Sequence, residues 1–526
     1  MRGKVVPPLE AVALIPAGGT VVVDGSGGGV NQPDRILRAL RELFDQTGTP
    51  SGLTVVHPSG LGDGLGGGVD RLAHPRLVRR VVGGHWGWTP EMQKLASANA
   101  IEAYCLPQGV LSHLMREIAG GRPGVITKVG MHTTCDPRLE GGKFNSISEE
   151  DLVEVVTLLG EEWLLYKSCA VDATIIKASY ADERGNLCMD DEGLPAEVLS
   201  SAQAAKNSGG VVLAQVPYIV AAGSIDPRRV AVPGILVDAV VVEPLNRLSA
   251  ATVRDPTLTG EARAPRDLSS TQLLTERLVI ARRAAAEIRD GDIVNLGYGM
   301  ADGVAHVLAV EGATERVSLT VEQGHVGGTP VGGSDFGLVR NAEATIHSGY
   351  QFDFYDGGGL DVAVLSFAEV DSAGNVNVGK FGGRLVGVGG FINIAQGAKR
   401  VIFVGTMTVS KSGYHFDGDR VRLRVPNGET KFVKEVQQIT FSGKAALERG
   451  QSICYVTERA VFELTSDGVA LVEMAPGLDL RADILDNLDF EPVLSEDVRL
   501  MDPRIFQVAT SGYVSERLGR TSSSPL

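Results

Sequence analysis

No two of the five cysteines, Cys105, Cys135, Cys169, Cys188 and Cys454, have the C-x2-C spacing of a zinc or redox pair. Their odd number also excludes a complete disulfide set, so buried free thiols in a reducing compartment are expected. The nine histidines form no H-x3-H or H-E-x-x-H pattern, and no metal site is expected. Long apolar runs are missing as well: none reaches the roughly 18 residues of a membrane span. The N-terminal apolar run is interrupted by Pro7, Pro8 and Pro16 and reads as neither signal peptide nor anchor. Basic charge is in deficit, with 49 Lys and Arg against 64 Asp and Glu, a net charge of -15. A generic nucleic-acid binder needs the opposite surface, whereas an anionic small ligand in a locally basic pocket remains open. A cytoplasmic protein without nucleic-acid or membrane partners is the expectation.

What is present is a globular composition, 43% hydrophobic and 21% charged, in 526 residues, long enough for two to four domains. The 66 glycines sit at the ends of apolar runs, where strand gives way to loop. TVVVDGSGGGVNQPDRILRALRELF reads as strand, glycine loop and helix, with Pro33 near the first helical turn. Ile36, Leu37, Leu40, Leu43 and Phe44 recur there at helical spacing. The same grammar returns in the second half. Ser269 and Gln272 suggest a capping box, a helix stops near Gly291, Ile293 to Leu296 form a strand, and Gly297, Gly299 and Gly303 lead to another helix. SYADERGNLCM, from Ser179, echoes AEVDSAGNVNV, from Ala368, and a helix and strand follow each. An internal duplication into two related α/β halves follows, imperfect because the first half carries extra residues. The expected division is residues 1–245, a polar aperiodic linker 246–268, residues 269–515 and a tail 516–526.

Glu322, in LTVEQGHVGGTPVGGSDFG, follows an apolar run and precedes a glycine-rich loop without helical period. Three readings compete. VNLGYGMADG is one residue off the dinucleotide fingerprint, and Glu322 comes 25 residues after Gly297, close to the position of a ribose-binding acid. Glu322 could instead cap a helix or join a surface ion pair, although no helical period follows it. Or it is a nucleophile at a strand end, facing open space. Consecutive glycines cost backbone entropy, which suggests that something bulky approaches the backbone. A carboxylate attacking an activated acyl group needs oxyanion donors. RLVGVGGFINIAQ, with Gly387, Gly389 and Gly390, offers amides, and Gln108, between Pro107 and Gly109 before a helix, offers an exposed carboxamide.

Taken together these segments, with GGHWGWTPEMQKLASANAIEAYCLPQGVLSHLMREIAGGRPGVITKVGMHTTCDPRLEGGKFN and EVDSAGNVNVGKFGGRLVGVGGFINI, resemble family I coenzyme A transferases. The likeness is to the propionate/acetate and 3-oxoacid CoA-transferase branch, and it runs from the first glycine loop to about residue 460. It implies two tandem related α/β domains, open sheets flanked by helices, with the site at their junction. It implies Glu322 as the catalytic glutamate, Gln108 as side-chain oxyanion donor and Gly389 as backbone donor, with Gly387 and Gly390 as neighbours. The loop Gly297, Tyr298, Gly299, Met300 and Ala301 resembles the segment that meets coenzyme A. The implied partners are acyl-CoA and short carboxylic acids, with coenzyme A as substrate, no other cofactor, and a homo-oligomer, dimer or tetramer. Ala301 and Asp302 stand where relatives have Pro-Glu, His325 where an apolar residue is usual, and Thr134 where a bulky aromatic is expected; these departures bear on acyl specificity. His113, His132 and His325 are read as packing or hydrogen-bonding groups, and Lys380 and Arg384 as a solvated charged face. An acyl-CoA hydrolase on the same scaffold and a dinucleotide-binding oxidoreductase are the alternatives.

Overall fold

The structure is a computed structural model that describes residues 3–265, 273–409, 414–417, 420–423, 428–507 and 512–520. The Ser269–Gln272 capping box and residues 521–526 of the expected tail lie outside them; residues 513–520 are helical. Backbone contacts group the chain into two compact units. The first comprises Met1–Ala264, Glu322–Asp353 and Gly382–Asn393, and the second Pro265–Val321, Phe354–Phe381 and Ile394–Leu526.

In the first unit, β1 (Thr20–Val23), β2 (Leu53–His57), β3 (Val78–Gly83), β4 (Glu102–Cys105), β5 (Ala173–Lys177), β6 (Val211–Val216) and β7 (Ala239–Val242) form one sheet in the order β7-β6-β5-β1-β2-β3-β4. Every pair is parallel. A parallel sheet is covered on both faces, so its strands are continuous apolar runs such as TVVV and LTVVH rather than alternating ones. Helix α1 (Asp34–Thr47) buries Ile36, Leu37, Leu40 and Phe44 on one face and ends at Gly48, left-handed at φ +73°. Helix α2 (Gln108–Ala119) follows β4, and helix α3 (Val198–Asn207) precedes β6. Such sheets bind ligands beyond the carboxyl ends of their strands, which directs attention to the residues after β3 and β4.

The second unit contains helices α4 (Glu276–Ala285) and α5 (Asp302–Val310). Its strands β8 (Ile293–Leu296), β9 (Ser318–Val321), β10 (Val362–Ser366), β11 (Arg400–Val404) and β12 (Ser452–Val456) pair in parallel in the order β9-β8-β10-β11-β12. Three further strands, Ala460–Thr465, Gly468–Met474 and Val493–Leu500, extend that sheet.

The echoed D-x-x-G-N segments fold alike. Asp182 Oδ1 accepts the N–H groups of Arg184 and Asn186, and Asp371 Oδ1 those of Ala373 and Asn375. In each turn the second carboxylate oxygen accepts the Asn carboxamide, and the Gly is left-handed at φ +83° and +76°. An Asp side chain that satisfies two backbone donors needs that backbone path, and Gly supplies it.

Residues 246–264 are packed rather than loose. Leu248 and Leu258 join Val30, Leu194 and Leu338 in a small core. Thr252 Oγ1 donates to Asp335 at 2.9 Å, and Arg340 pairs with Asp255 at 3.2 Å. Cys105, Cys135 and Cys188 are buried and Cys454 is half-buried. Cys169 departs from the expectation and is exposed, in the loop between Glu161–Lys167 and β5. Among the described residues no helix is long and apolar enough to cross a membrane.

Candidate active site

The carboxyl ends of β3 and β4 are drawn together by backbone hydrogen bonds to the glycine turn around Gly389. Strand β4 stops at Cys105, and Pro107, with φ -59°, precedes Gln108, the first residue of α2. A first-turn N–H has no acceptor within its helix. That of Gln108 donates to the Gly389 carbonyl at 2.8 Å, and that of Gly109 to Asn393 Oδ1 at 3.1 Å. Gln108 is therefore inside the helix and only 3% exposed, not an exposed amide ahead of it. In the other direction the Gly389 N–H donates to the Gly84 carbonyl at 2.6 Å. Gly387 faces His85 in an antiparallel bridge, and Trp86 N–H donates to Val386 O at 2.7 Å.

These approaches explain the glycines. A Cβ on Gly387 would lie 2.9 Å from His85 Cα and 3.2 Å from the Cys105 sulfur. One on Gly109 would lie 2.5 Å from the Phe352 ring. At Gly389, φ +53°, a Cβ would be 3.8 Å from the His85 ring and 3.9 Å from Gln108 Oε1. The Gln108 carboxamide and the half-buried His85 imidazole therefore both approach the Gly389 backbone, and Gly390 is buried beside it. Burial, with a smaller contribution from His57, lowers the His85 pKa to about 4, so its ring is neutral at neutral pH. Burial also pushes the Cys105 thiol up to about 12 and keeps it a thiol.

Glu322 belongs to the same compact unit and comes directly after β9. It does not face open space: it is 6% exposed, and the Gln323 carboxamide donates to its Oε1 at 3.3 Å. The glycines that follow permit close backbone approach. The Ile346 N–H donates to Gly324 O at 2.8 Å, and a Cβ on Gly324, φ +113°, would collide with the Ile346 carbonyl. A Cβ on Gly337 would lie 3.0 Å from the Gln323 side chain. His325 is buried, with Nδ1 3.0 Å from Thr345 Oγ1, and burial lowers its pKa to about 4. A neutral, buried ring fits a packing and hydrogen-bonding role.

Of the other positions singled out by sequence, Gly297, Tyr298, Gly299, Met300 and Ala301 lie in the second unit, between β8 and α5. Ser366 braces that loop: its hydroxyl donates to Tyr298 O at 2.7 Å and accepts from Met300 N–H at 3.0 Å. Asp302 accepts the Gly299 N–H at 3.2 Å, and burial raises its pKa to about 6. Thr134 is buried, His132 is exposed with a left-handed backbone, and His113 Nε2 lies 2.9 Å from Gly349 O and 3.0 Å from Asp353. Sequence reasoning did not single out His85 or the buried carboxyl groups Asp24 and Glu197. The histidine in GGHWGW, between glycines after an apolar run, was the available signal for the first.

Comparison with known proteins gives the family. A family model described as "Coenzyme A transferase" matches residues 8–243. The chain is 42% identical over 514 residues to the acetate CoA-transferase YdiF of Escherichia coli (strain K12), covering 98% of this chain and 97% of that one. It is 44% identical over 517 residues to the caffeate CoA-transferase of Acetobacterium woodii, covering 97% and 98%. The crystal structure of the E. coli O157:H7 acyl-CoA transferase YdiF as a thioester complex with CoA matches with TM-score 0.92 at 41% identity, covering 97% of both chains.

Proposed function

The chain belongs to the coenzyme A transferase family and is a CoA-transferase, and from that premise we propose that it moves CoA from a short acyl-CoA to an acceptor carboxylic acid through a glutamyl-CoA thioester on Glu322. The Glu322 carboxylate attacks the thioester carbonyl. The C–S bond breaks, giving an acyl-glutamyl anhydride and CoA thiolate. The thiolate then attacks the glutamyl carbonyl, forming the glutamyl thioester and expelling the donor acid as its carboxylate. An acceptor carboxylate repeats the steps in reverse order and leaves as its CoA ester, with Glu322 restored. The charge passes between carboxylate and thiolate throughout, so no step needs a protein base, and the neutral histidines near the site agree with that. Gln108 and an amide of the Gly389 turn would hold the oxyanion of each tetrahedral intermediate. Because the Gly389 N–H is bonded to Gly84, donation from that amide requires the turn to exchange this bond. Gly297 to Ala301 would meet coenzyme A, which is substrate, with no other cofactor required.

The observation that carries this reading is that one compact unit gathers Glu322 with the interlocked Gln108–Gly389 pair, although these residues come from opposite halves of the sequence. That thioester complex, at 41% identity, supports the same chemistry. Acetate and caffeate, the acids in the relatives' names, are the first acceptors to try. The test is to supply acyl-CoA without acceptor acid, add borohydride and map the product by peptide mass spectrometry. A reduced thioester at Glu322, ping-pong kinetics with both substrates, and loss of labelling and transfer in Glu322→Ala are expected. Labelling at another carboxylate, or an active alanine variant, overturns the assignment. CoA release that needs no acceptor acid would favour the hydrolase alternative.

A further inference from the structure

A cavity of about 240 Å³ lies in the first unit, lined by Ser112 and Arg116 of α2, by Glu197 and Ser200 at the start of α3, and by His347 and Tyr350. It shares α2 with Gln108, but neither Gln108, Glu322 nor Gly389 lines it. Its floor is unusual. Glu197, 4% exposed, accepts the Ser112 hydroxyl at 2.5 Å, and its own N–H donates to Asp24 Oδ1 at 3.3 Å. Neither carboxyl group has an ion-pair partner among the described residues, and Asp24 Oδ2 is buried without a hydrogen bond. Asp24 is 1% exposed. Two buried acids joined through this backbone bond, with no cation beside them, favour the protonated form, because two buried carboxylates repel. Burial raises the pKa of both, Asp24 well above its ordinary value. The floor is thus a buried acid pair capped by the Ser112 hydroxyl, with no cation of its own among the described residues.

The wall carries one cation. Arg116 stacks over the Tyr350 ring, 4.9 Å from its centroid, and gives Nη1 to Asp353 at 3.1 Å. Its Nε and Nη2 make no hydrogen bond among the described residues. A guanidinium with donors in reserve is suited to a carboxylate, whose two oxygens match its fork. The other titratable groups lining the cavity are Tyr350 and His347, whose Nδ1 is 3.3 Å from Ala196 O; His113, outside the lining, shares Asp353 with Arg116.

We propose that this cavity is a binding site for a small carboxylate ion, separate from the acyl-transfer residues, with Arg116 taking its charge and the buried Asp24 and Glu197 beneath it. The ligand class coincides with the acids that CoA transfer consumes and releases, so the chain would hold its own substrate class in a second place. Ionisation of the pair puts negative charge under the ligand, so affinity falls as pH rises.

Calorimetric titration of the full chain with sodium acetate at pH 6 and pH 8, at ionic strength matched with sodium chloride, tests this. Acetate is expected to bind more tightly at pH 6. Arg116→Gln should weaken it at least tenfold. Glu197→Gln, which keeps a hydrogen-bonding group on the Ser112 hydroxyl, should retain binding and lose most of the pH dependence. A melting curve on each variant separates misfolding from lost affinity, and Arg116→Lys, which restores charge without the fork, should recover part of the binding if a variant melts early. Acetate affinity equal in wild type and Arg116→Gln overturns the site, as does no binding to the wild type. A pH dependence that survives Glu197→Gln overturns the role of the carboxyl pair. Borohydride trapping at Glu322 is read separately, so failure here leaves the thioester assignment standing.

Discussion

Gln108 is fixed at its backbone, while its carboxamide makes no side-chain hydrogen bond among the described residues. That leaves the group available to a developing oxyanion. Gln108→Ala should lower kcat by roughly 10²- to 10³-fold, the scale for one such donor, and change KM far less, because the bond strengthens in the transition state. Steady-state kinetics decides this, and a large KM effect with kcat intact would make Gln108 a binding residue. The buried imidazoles give a second residue-scale prediction. Burial lowers the pKa of His57 and His325 from 6.5 to about 4. Folding thus weakens proton binding, so the stability each ring contributes is present above pH 6.5 and lost as pH falls towards 4. The change corresponds to roughly 3 kcal/mol per ring at its fullest. In urea unfolding, wild type should lose more stability than His325→Gln between pH 7 and pH 4.5; parallel losses would remove His325 from the account.

At the scale of elements, the turn containing Gly387 and Gly389 shows that neighbouring glycines serve different needs. Both are left-handed, at φ +87° and +53°. An Ala side chain has ordinary room at Gly389 but would press on His85 and Trp86 at Gly387. Gly389→Ala should therefore cost only the left-handed backbone, about 1–2 kcal/mol. Gly387→Ala should cost a further 1–3 kcal/mol or so of overpacking. Thermal melts of the two variants measure the difference, and equal melting temperatures would show that the strand ends after β3 and β4 can yield. The turns at Asp182 and Asp371 teach the complementary lesson. Their hydrogen bonds are local, between residues a few positions apart, so D-x-x-G-N spells them directly.

For the whole molecule, the consequence lies in how the first unit is assembled. Met1–Ala264 forms it only with Glu322–Asp353 and Gly382–Asn393. Leu338 fills the small core with Leu248 and Leu258, and Asp335 and Arg340 hold Thr252 and Asp255. An N-terminal fragment ending between Ala250 and Gly260 exposes that core, so expressed alone it should be largely insoluble. Co-expressed with its complement it should be soluble and active, because the break falls in a covalent connection whose contacts can re-form. Solubility and transferase assays decide this: a soluble lone fragment would refute the assembly argument, and an inactive co-expressed pair would refute the tolerance of the break.

Local pattern sufficed for much of this protein. Apolar runs closed by glycine marked strands such as β1 and β8, helical spacing from Ile36 to Phe44 marked α1, and paired D-x-x-G-N turns marked the repeat, since each is a relation among near neighbours. The ordered motifs around Gln108, Glu322 and Gly389 carried the family. Tertiary structure alone decided that Gln108 is buried within α2, that Glu322 is enclosed, and that Gly389 is clasped between Gln108 and Gly84. It alone made a carboxyl pair of Asp24 and Glu197. Each of these is a contact between residues far apart in sequence, set by where strand ends and glycine turns meet, and neither composition nor periodicity encodes such a meeting.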